Sequence, residues 1–262
     1  MSNNKIYLAY GSDINITHME QRCLDAEPIG TTELHGYALC FRGNEGRAAA
    51  TLEQSESSVP AMLWTISPDD VQELKRQASK EYTLRRKTAT VIHNGAPIDV
   101  FFYVIDAAHD FGAPSYSHYS TIEEGYSEAG FNTDTLRKSL ENCCDETVCI
   151  NYALYAKFSE NYENLKDEWY SMKPRELVEL AESIALANSI YDEAMRTRYT
   201  TQLAQQLLRY KNPLGIAIEA SQLYEYPVDE DFITALETVI GDDYYTSEYT
   251  LDPEYAEPEM GM

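Results

Sequence analysis

The spacing of apolar and polar positions changes about half-way along the chain. Before residue 140, short apolar runs alternate with polar turns, and segments such as 33–42, 59–66 and 98–105 have the composition of β-strands. After residue 142 the strand signal is absent and apolar residues recur at helical spacing. Five or six strands and two short helices within 105 residues predict a small closed or nearly closed mixed β-barrel. The predicted fold class is therefore α+β, a small mixed barrel followed by an all-α module and an acidic tail.

Local signals predict individual elements of the first half. Asn94-Gly95 between two β-rich runs indicates a tight hairpin, and Ser67-Pro68 indicates the start of an amphipathic helix. The polar run Ser55–Ser58 is interpreted as a hairpin loop, and Gly112–Tyr119 as an aromatic-rich loop. Gly125 indicates a helix that approaches a neighbouring element closely.

Composition divides the chain into three parts. Residues 1–141 are predicted to form the barrel domain, residues 142–241 the helical module, and residues 242–262 an acidic, tyrosine-rich tail. No Lys or Arg follows Lys211, and the last segment consists mainly of Asp, Glu, Tyr and Pro. Such a composition predicts a flexible tail.

The net charge limits the classes of partner. The chain has 20 basic and 44 acidic residues, a formal net charge of −24. A surface of this kind repels nucleic acid and anionic membrane, so neither is expected to bind. The expected partner is a small ligand or a basic protein.

Several other features carry no chemical signal. The chain shows neither a basic N-terminal region followed by an apolar run nor a long apolar segment, so a cytoplasmic protein is expected. Five cysteines without regular spacing predict neither a disulfide framework nor a metal site, and no cofactor is expected. His109 and His118 have no companion nucleophile in the sequence and are interpreted as surface or loop residues.

The segment with the clearest chemical pattern lies near the N-terminus. In KIYLAYGSD, residues 5–13, a short strand pattern leads into Tyr10, Gly11, Ser12 and Asp13. A Gly-Ser turn presents backbone N–H groups, which can hold a carboxylate or an oxygen that acquires negative charge. The alternative is an ordinary strand end followed by a turn.

The order and spacing of several motifs resemble the γ-glutamylcyclotransferase (AIG2-like) family over residues 5–140. The motifs that carry the resemblance are YLAYGSD, ELHGYALCF, VPAMLWTI, LKRQ followed by YTLRRKTATV, and APSYSHYSTIEEGYSEAGF. The resemblance implies a small mixed barrel with flanking helices. The second half of the chain is not covered by it.

The resemblance also implies a reaction. In the family, the α-amine of a γ-glutamyl conjugate attacks its own γ-carbonyl, which releases an amine and 5-oxoproline. The protein holds the glutamyl group, stabilises the oxyanion and moves a proton between the two nitrogens. By resemblance, the binding residues here are Tyr10, Gly11, Ser12 and Asp13, together with Tyr82 and with Tyr119 as a wall of the pocket.

This sequence departs from the family at the proton carrier. The family pattern LDxxEG corresponds to LKRQAS, so the catalytic Glu falls on Ala78, which also counts as a residue of the pocket. Glu81, three residues further on, is the candidate for a relocated general base. Asp13 replaces the Asn of the family's YGSN motif and introduces a carboxylate beside the site.

Two hypotheses follow from these departures. The favoured one is a cyclotransferase-like protein that has lost catalysis and works by binding. Its partner is either a small anionic ligand in the old active-site cavity or a basic nucleic-acid-binding protein that it inhibits, as phage and mobile-element anti-defence proteins do. The alternative is an active γ-glutamylamine or γ-glutamyl-peptide cyclotransferase with Glu81 as its base.

Overall fold

A computed structural model describes residues 5–78, 83–223, 231–241 and 249–255. The chain divides into two compact units, Met1–Asp145 and Glu146–Met262. The first unit contains all strands of the described sheet, and the second is helical. The α+β class predicted from the hydrophobic pattern is confirmed.

The sheet of the first unit has five strands in the order β2-β3-β1-β5-β4. Strand β1 pairs in parallel with β5, and the other neighbours are antiparallel. The strands are β1 (Lys5–Ala9), β2 (Glu27–Arg42), β3 (Ala49–Ile66), β4 (Leu84–His93) and β5 (Ala96–Ile105). Placing β1 between two longer strands buries Leu8 and Ala9 completely, and the loop after β1 therefore starts from the core.

The mixed sheet is confirmed, but it does not close into a barrel by a hydrogen-bonded ladder. Strands β2 and β4 lie at the two edges. The hydroxyl of Thr32 on β2 donates a hydrogen bond to the carbonyl of Ile92 on β4 at 2.9 Å. The two edges thus approach one another, and within the described residues side chains rather than backbone pairing connect them.

The hairpin loop predicted at Ser55–Ser58 is wrong. Strand β3 runs through these residues and is 18 residues long. Its pairing with β2 shifts register between His35 and Tyr37, where Gly36 has a φ of 83°. The polar residues form an irregularity in one long antiparallel ribbon, because a bulge lets exposed serines interrupt the alternation without ending the strand.

The tight hairpin is confirmed. Asn94 and Gly95 connect β4 to β5, with φ angles of 49° and 77°. Two successive positive φ angles are typical of the type I′ turn that matches the twist of the flanking strands. Residues 93 and 96 are the last paired positions of the ladder.

Four helices accompany the described sheet, namely α1 (Ile16–Arg22), α2 (Pro68–Ala78), α3 (Tyr116–Glu128) and α4 (Asp134–Cys143). The predicted loop at Gly112–Tyr119 is wrong in its second half, because α3 begins at Tyr116. The side chain of Ser115 accepts a hydrogen bond from the N–H of His118 and caps this helix. Because of this capping bond, the helix begins inside the segment that the aromatic composition led us to interpret as a loop.

The second unit consists of α5 (Glu146–Ser171), α6 (Pro174–Glu179), α7 (Ala181–Ala194), α8 (Thr201–Leu208), α9 (Pro213–Leu223) and α10 (Asp231–Ile240). Asn151 of α5 is a buried polar residue of this unit. Its amide donates to the carbonyls of Thr147 and Tyr199 and accepts from the N–H of Tyr199 and the hydroxyl of Tyr155. This side chain fixes the segment before α8 against α5.

The described part of the predicted tail, residues 249–255, contacts helices of the second unit, and the flexibility of the tail stays a prediction. Lys211 N–H donates to the carbonyl of Thr250 at 2.9 Å, and Asp252 forms an ion pair with Lys157. A partly buried cation thus anchors the acidic segment. The rest of the predicted tail lies outside the described residues.

None of the described helices combines the length and the apolar composition needed to cross a membrane.

Candidate functional site

A cavity of about 360 Å³ opens beside the end of β1 in the first unit. Residues from β1, the following loop, α1, α2, β3, β4, β5 and α3 surround it. Its lining residues are Tyr7, Tyr10, Gly11, Ser12, Asp13, His18, Arg22, Ala49, Ala50, Leu74, Leu84, Tyr103, Ile105 and His118. The predicted loop Tyr10–Asp13 is part of this wall.

The loop after β1 turns sharply because of its glycine. The N–H of Ile14 donates to the carbonyl of Gly11 at 3.0 Å, and Ser12–Ile14 form one 3-10 turn. A Cβ on residue 11 would lie 3.2 Å from the Cβ of Ala50 on β3. Gly11 therefore allows the loop to approach the sheet, and the first N–H groups of the turn have no partner within the turn itself.

Asp13 is the best-fixed side chain of the loop. It is buried, with 8% of its surface exposed. The hydroxyl of Tyr7 donates to its Oδ2 at 2.9 Å, and Arg22 donates to its Oδ1 in an ion pair. Trp64 Nε1 donates to its backbone carbonyl at 3.0 Å. The extra carboxylate that the sequence introduces thus faces a guanidinium inside the cavity.

Three tyrosines, Tyr7, Tyr10 and Tyr103, line the cavity, and the hydroxyls of Tyr7 and Tyr10 form hydrogen bonds within the domain. The hydroxyl of Tyr10 donates to the carbonyl of Tyr103, and the Tyr7 hydroxyl binds Asp13. Burial raises the pKa of Tyr7 and of Tyr10 well above the usual value. Both phenols are neutral at physiological pH and act as hydrogen-bond donors.

Two histidines complete the polar wall. His18 Nε2 lies 3.4 Å from Arg22 and 3.9 Å from Asp13, and burial lowers the pKa of His18. Burial also lowers the pKa of His118, to about 4, with a smaller contribution from His18. The buried Nε2 of His118 has no hydrogen-bond partner among the described residues. Both imidazoles are therefore neutral at pH 7.

The interpretation of His118 as a surface or loop residue is wrong, because this residue lies on α3 and lines the cavity. The assignment of Tyr119 as a wall of the pocket stays a prediction, and Tyr119 is not among the lining residues named above. Tyr119 is buried, and its ring packs near Phe41 with 6.4 Å between centroids. Adjacent residues of a helix point about 100° apart. Of these two residues of α3, His118 is therefore the one whose side chain faces the cavity.

The structure describes only part of the segment in which the resemblance predicts the proton-carrying residue. Helix α2 ends at Ala78, whose side chain is not described, and Leu74 of the same helix lines the cavity. Glu81 and Tyr82 lie outside the described residues. The assignments of these three residues stay predictions.

The sequence did not single out His18 and Arg22 as lining residues, and it placed His118 outside the site. His18 and Arg22 stand four residues apart on α1, so they share a helix face, and this spacing is a readable signal. No signal of this kind connects His118 to them, because α3 follows about a hundred residues later. Within the described part of the chain, no group of three or more His, Cys, Asp or Glu side chains is arranged to hold a metal ion.

The loop and cavity can be compared with known families. Residues 7–125 match the family model described as "Gamma-glutamyl cyclotransferase, AIG2-like". The first unit thus contains an AIG2-like domain. The match confirms the resemblance seen in the motifs and includes most of β1, the loop Tyr10–Asp13 and most of α3. It does not extend into the helical unit.

Solved structures similar to the AIG2-like domain share a low sequence identity with it. A gamma-glutamyl cyclotransferase is 20% identical, with 52% of this chain and 86% of that chain covered and a TM-score of 0.47. YkqA from Bacillus subtilis is 20% identical over 52% of each chain, with a TM-score of 0.44. A glutathione-specific gamma-glutamyl cyclotransferase from yeast is 12% identical over 53% of this chain and 99% of that chain, with a TM-score of 0.39. No curated protein matches the chain.

Proposed function

We propose that the AIG2-like domain binds a small γ-glutamyl-like ligand in its cavity and does not convert it. The observation that carries this proposal is the position of the loop Tyr10–Asp13 on the wall of a cavity of about 360 Å³. A volume of this order suits a small ligand. The polar loop and Arg22 supply contacts for a head group, and the apolar lining residues supply contacts for a less polar remainder.

The composition of the wall supports binding without turnover. Cyclisation requires a group that takes the proton of the attacking amine and delivers it to the leaving nitrogen. The family resemblance assigns this task to position 78, where alanine has no ionisable group. Loss of a general acid or base typically lowers the rate by about 10² to 10⁴.

The other ionisable groups on the described wall are poor substitutes. Asp13 is the one carboxylate among the described lining residues, and it already accepts hydrogen bonds from Tyr7 and Arg22. The pKa of His118 is lowered to about 4, which makes it a weak base at pH 7. These groups can bind and orient a ligand without moving its proton efficiently.

The test combines binding with product release. Titration calorimetry with γ-L-glutamylmethylamide should show binding by the natural protein, and assays of 5-oxoproline should show no release. The Ala78→Glu variant should gain release, whereas the Ala78→Gln variant, of similar size but without an acid, should not.

Two results would overturn the proposal. Absence of binding by the natural protein would remove the ligand class. Release of 5-oxoproline by the natural protein that disappears in Glu81→Gln would establish the alternative, an enzyme with a relocated base.

A further inference from the structure

We propose that the Asp13 carboxylate holds the α-ammonium of a zwitterionic amino-acid head group and keeps that nitrogen protonated. This inference rests on the proposed function and specifies the ligand that the same cavity selects. It assigns a binding role to the residue at which the loop departs from the family motif. The ligand class is a free α-amine beside a carboxylate, as in an unblocked γ-glutamyl group.

The first argument is the remaining acceptor capacity of Asp13. An ionised carboxylate offers about four lone-pair sites. Tyr7 uses one at Oδ2 and Arg22 one at Oδ1, and Asp13 lines the cavity. The carboxylate can therefore accept further hydrogen bonds from a ligand, and an ammonium supplies three donors.

The second argument is that Asp13 is held in place before a ligand arrives. Two side-chain donors fix the orientation of its carboxylate, and Trp64 Nε1 fixes its backbone carbonyl at 3.0 Å. A group whose rotamer is locked by its neighbours loses little entropy on binding. The arrangement is that of a binding group, with rigid support from the core.

The third argument is the charge that faces Asp13. Arg22 and His18 face it from α1, Tyr7 from β1, Tyr10 from the loop after β1, and His118 from α3. Arg22 is the cation of this set, because the two tyrosines and the two histidines are neutral at pH 7. The described wall thus presents one anion beside one cation, which complements a zwitterion better than a simple anion.

The contact between the Asp13 carboxylate and the α-ammonium would also affect the reactivity of the ligand. An opposite charge within hydrogen-bonding distance favours the charged form of a group, so the pKa of a bound α-ammonium rises. A protonated amine has no lone pair with which to attack the γ-carbonyl. Asp13 would then act in the same direction as the alanine at position 78 and leave the ligand intact.

The experiment measures discrimination between two ligands by titration calorimetry. The probes are γ-L-glutamylmethylamide and its N-acetyl derivative, which lacks the ammonium. The natural protein should bind the free amine at least about tenfold more tightly, as expected for a charge-assisted hydrogen bond. Asp13→Asn is nearly isosteric and should reduce this ratio to below about threefold. Asp70→Asn removes a buried carboxylate outside the cavity wall and should keep the ratio.

The protonation step has its own measurement in the natural protein. The ¹³C shift of the ligand's α-carbon reports the titration of its ammonium. In the complex this titration should occur at least about one pH unit above that of the free ligand. Titration at the same pH as the free ligand would contradict the role of Asp13 in keeping the amine protonated.

The outcomes separate this inference from the proposed function. Equal binding of the two probes by the natural protein, or an Asp13→Asn variant that keeps the natural preference, overturns the assignment of Asp13 and leaves the proposed function in place. Binding of neither probe by the natural protein overturns both.

Discussion

Buried polar side chains are arranged differently in the two units of the chain. In the helical unit, Asn151 is neutral and its amide bonds to backbone and side-chain groups on both sides. In the AIG2-like domain, Asp13 and Arg22 are charged and border a cavity, and His118 keeps a buried nitrogen without a described partner. A fully bonded buried amide stabilises one packing arrangement, whereas buried charges and an unpaired nitrogen beside a cavity are typical of a binding site.

The largest effect on stability is expected from removing the buried amide of Asn151 in the helical unit. Asn151→Ala should lower the free energy of unfolding by about 3 to 4 kcal/mol, because it leaves the buried N–H and carbonyl of Tyr199 without their partners. Urea denaturation followed by circular dichroism measures the loss. Asn188 is an exposed amide on α7 with one described hydrogen bond, to Tyr162, and Asn188→Ala should change stability by less than about 0.5 kcal/mol. Similar effects at the two sites would contradict a structural role specific to Asn151.

The second prediction concerns pH and the AIG2-like domain. Unfolded His118 binds its proton near pH 6.5 and folded His118 near pH 4, so the free energy of unfolding decreases as the pH is lowered through this range. Between pH 6.5 and 5, above the sequence pI of about 4.4, the loss due to this group is about 1.6 kcal/mol. His118→Gln should remove that part of the pH dependence in urea denaturation. A slope unchanged in His118→Gln would show that this histidine is not held neutral.

The third prediction sharpens the link between packing and the cavity. A Cβ on Gly125 of α3 would lie 2.6 Å from the backbone nitrogen of Asn15, two residues after Asp13. Gly125→Ala should therefore displace the loop, lower stability by about 1 to 2 kcal/mol and weaken ligand binding in calorimetry. Ser127→Ala changes an exposed position on the same helix and serves as the control. Unchanged affinity in Gly125→Ala would show that the loop tolerates displacement.

The smallest effect is expected for the ion pair of the helical unit. Asp252 pairs with Lys157, whose side chain is 10% exposed. Asp252→Ala should lower stability by about 1 kcal/mol, and the difference should shrink at high salt. Glu254→Ala removes a nearby exposed acid and should have almost no effect. Neither variant should alter ligand binding by the AIG2-like domain, in contrast to changes at the ion pair of Asp13.

Local sequence signals were sufficient for many elements. Asn94-Gly95 predicts its hairpin because two positive φ angles are needed there, and the apolar spacing after residue 142 predicts helices. The run Ser55–Ser58 was misread, because its polar composition does not show that β2 continues opposite it. The contact of residues 249–255 with a partly buried lysine on α5 could not be predicted for a similar reason, since their acidity does not reveal that lysine.

The sequence by itself determined the class of fold and located the loop Tyr10–Asp13, and it predicts that alanine stands at position 78 in place of the family's glutamate. The tertiary structure decided which side chains face that loop. Arg22 neutralises Asp13, and His118 reaches the cavity from a helix about a hundred residues away. Backbone preferences and turn chemistry are local and can be read along the chain. Charge compensation and the burial that shifts a pKa depend on which distant residues share one enclosed space, and only the packed fold specifies them.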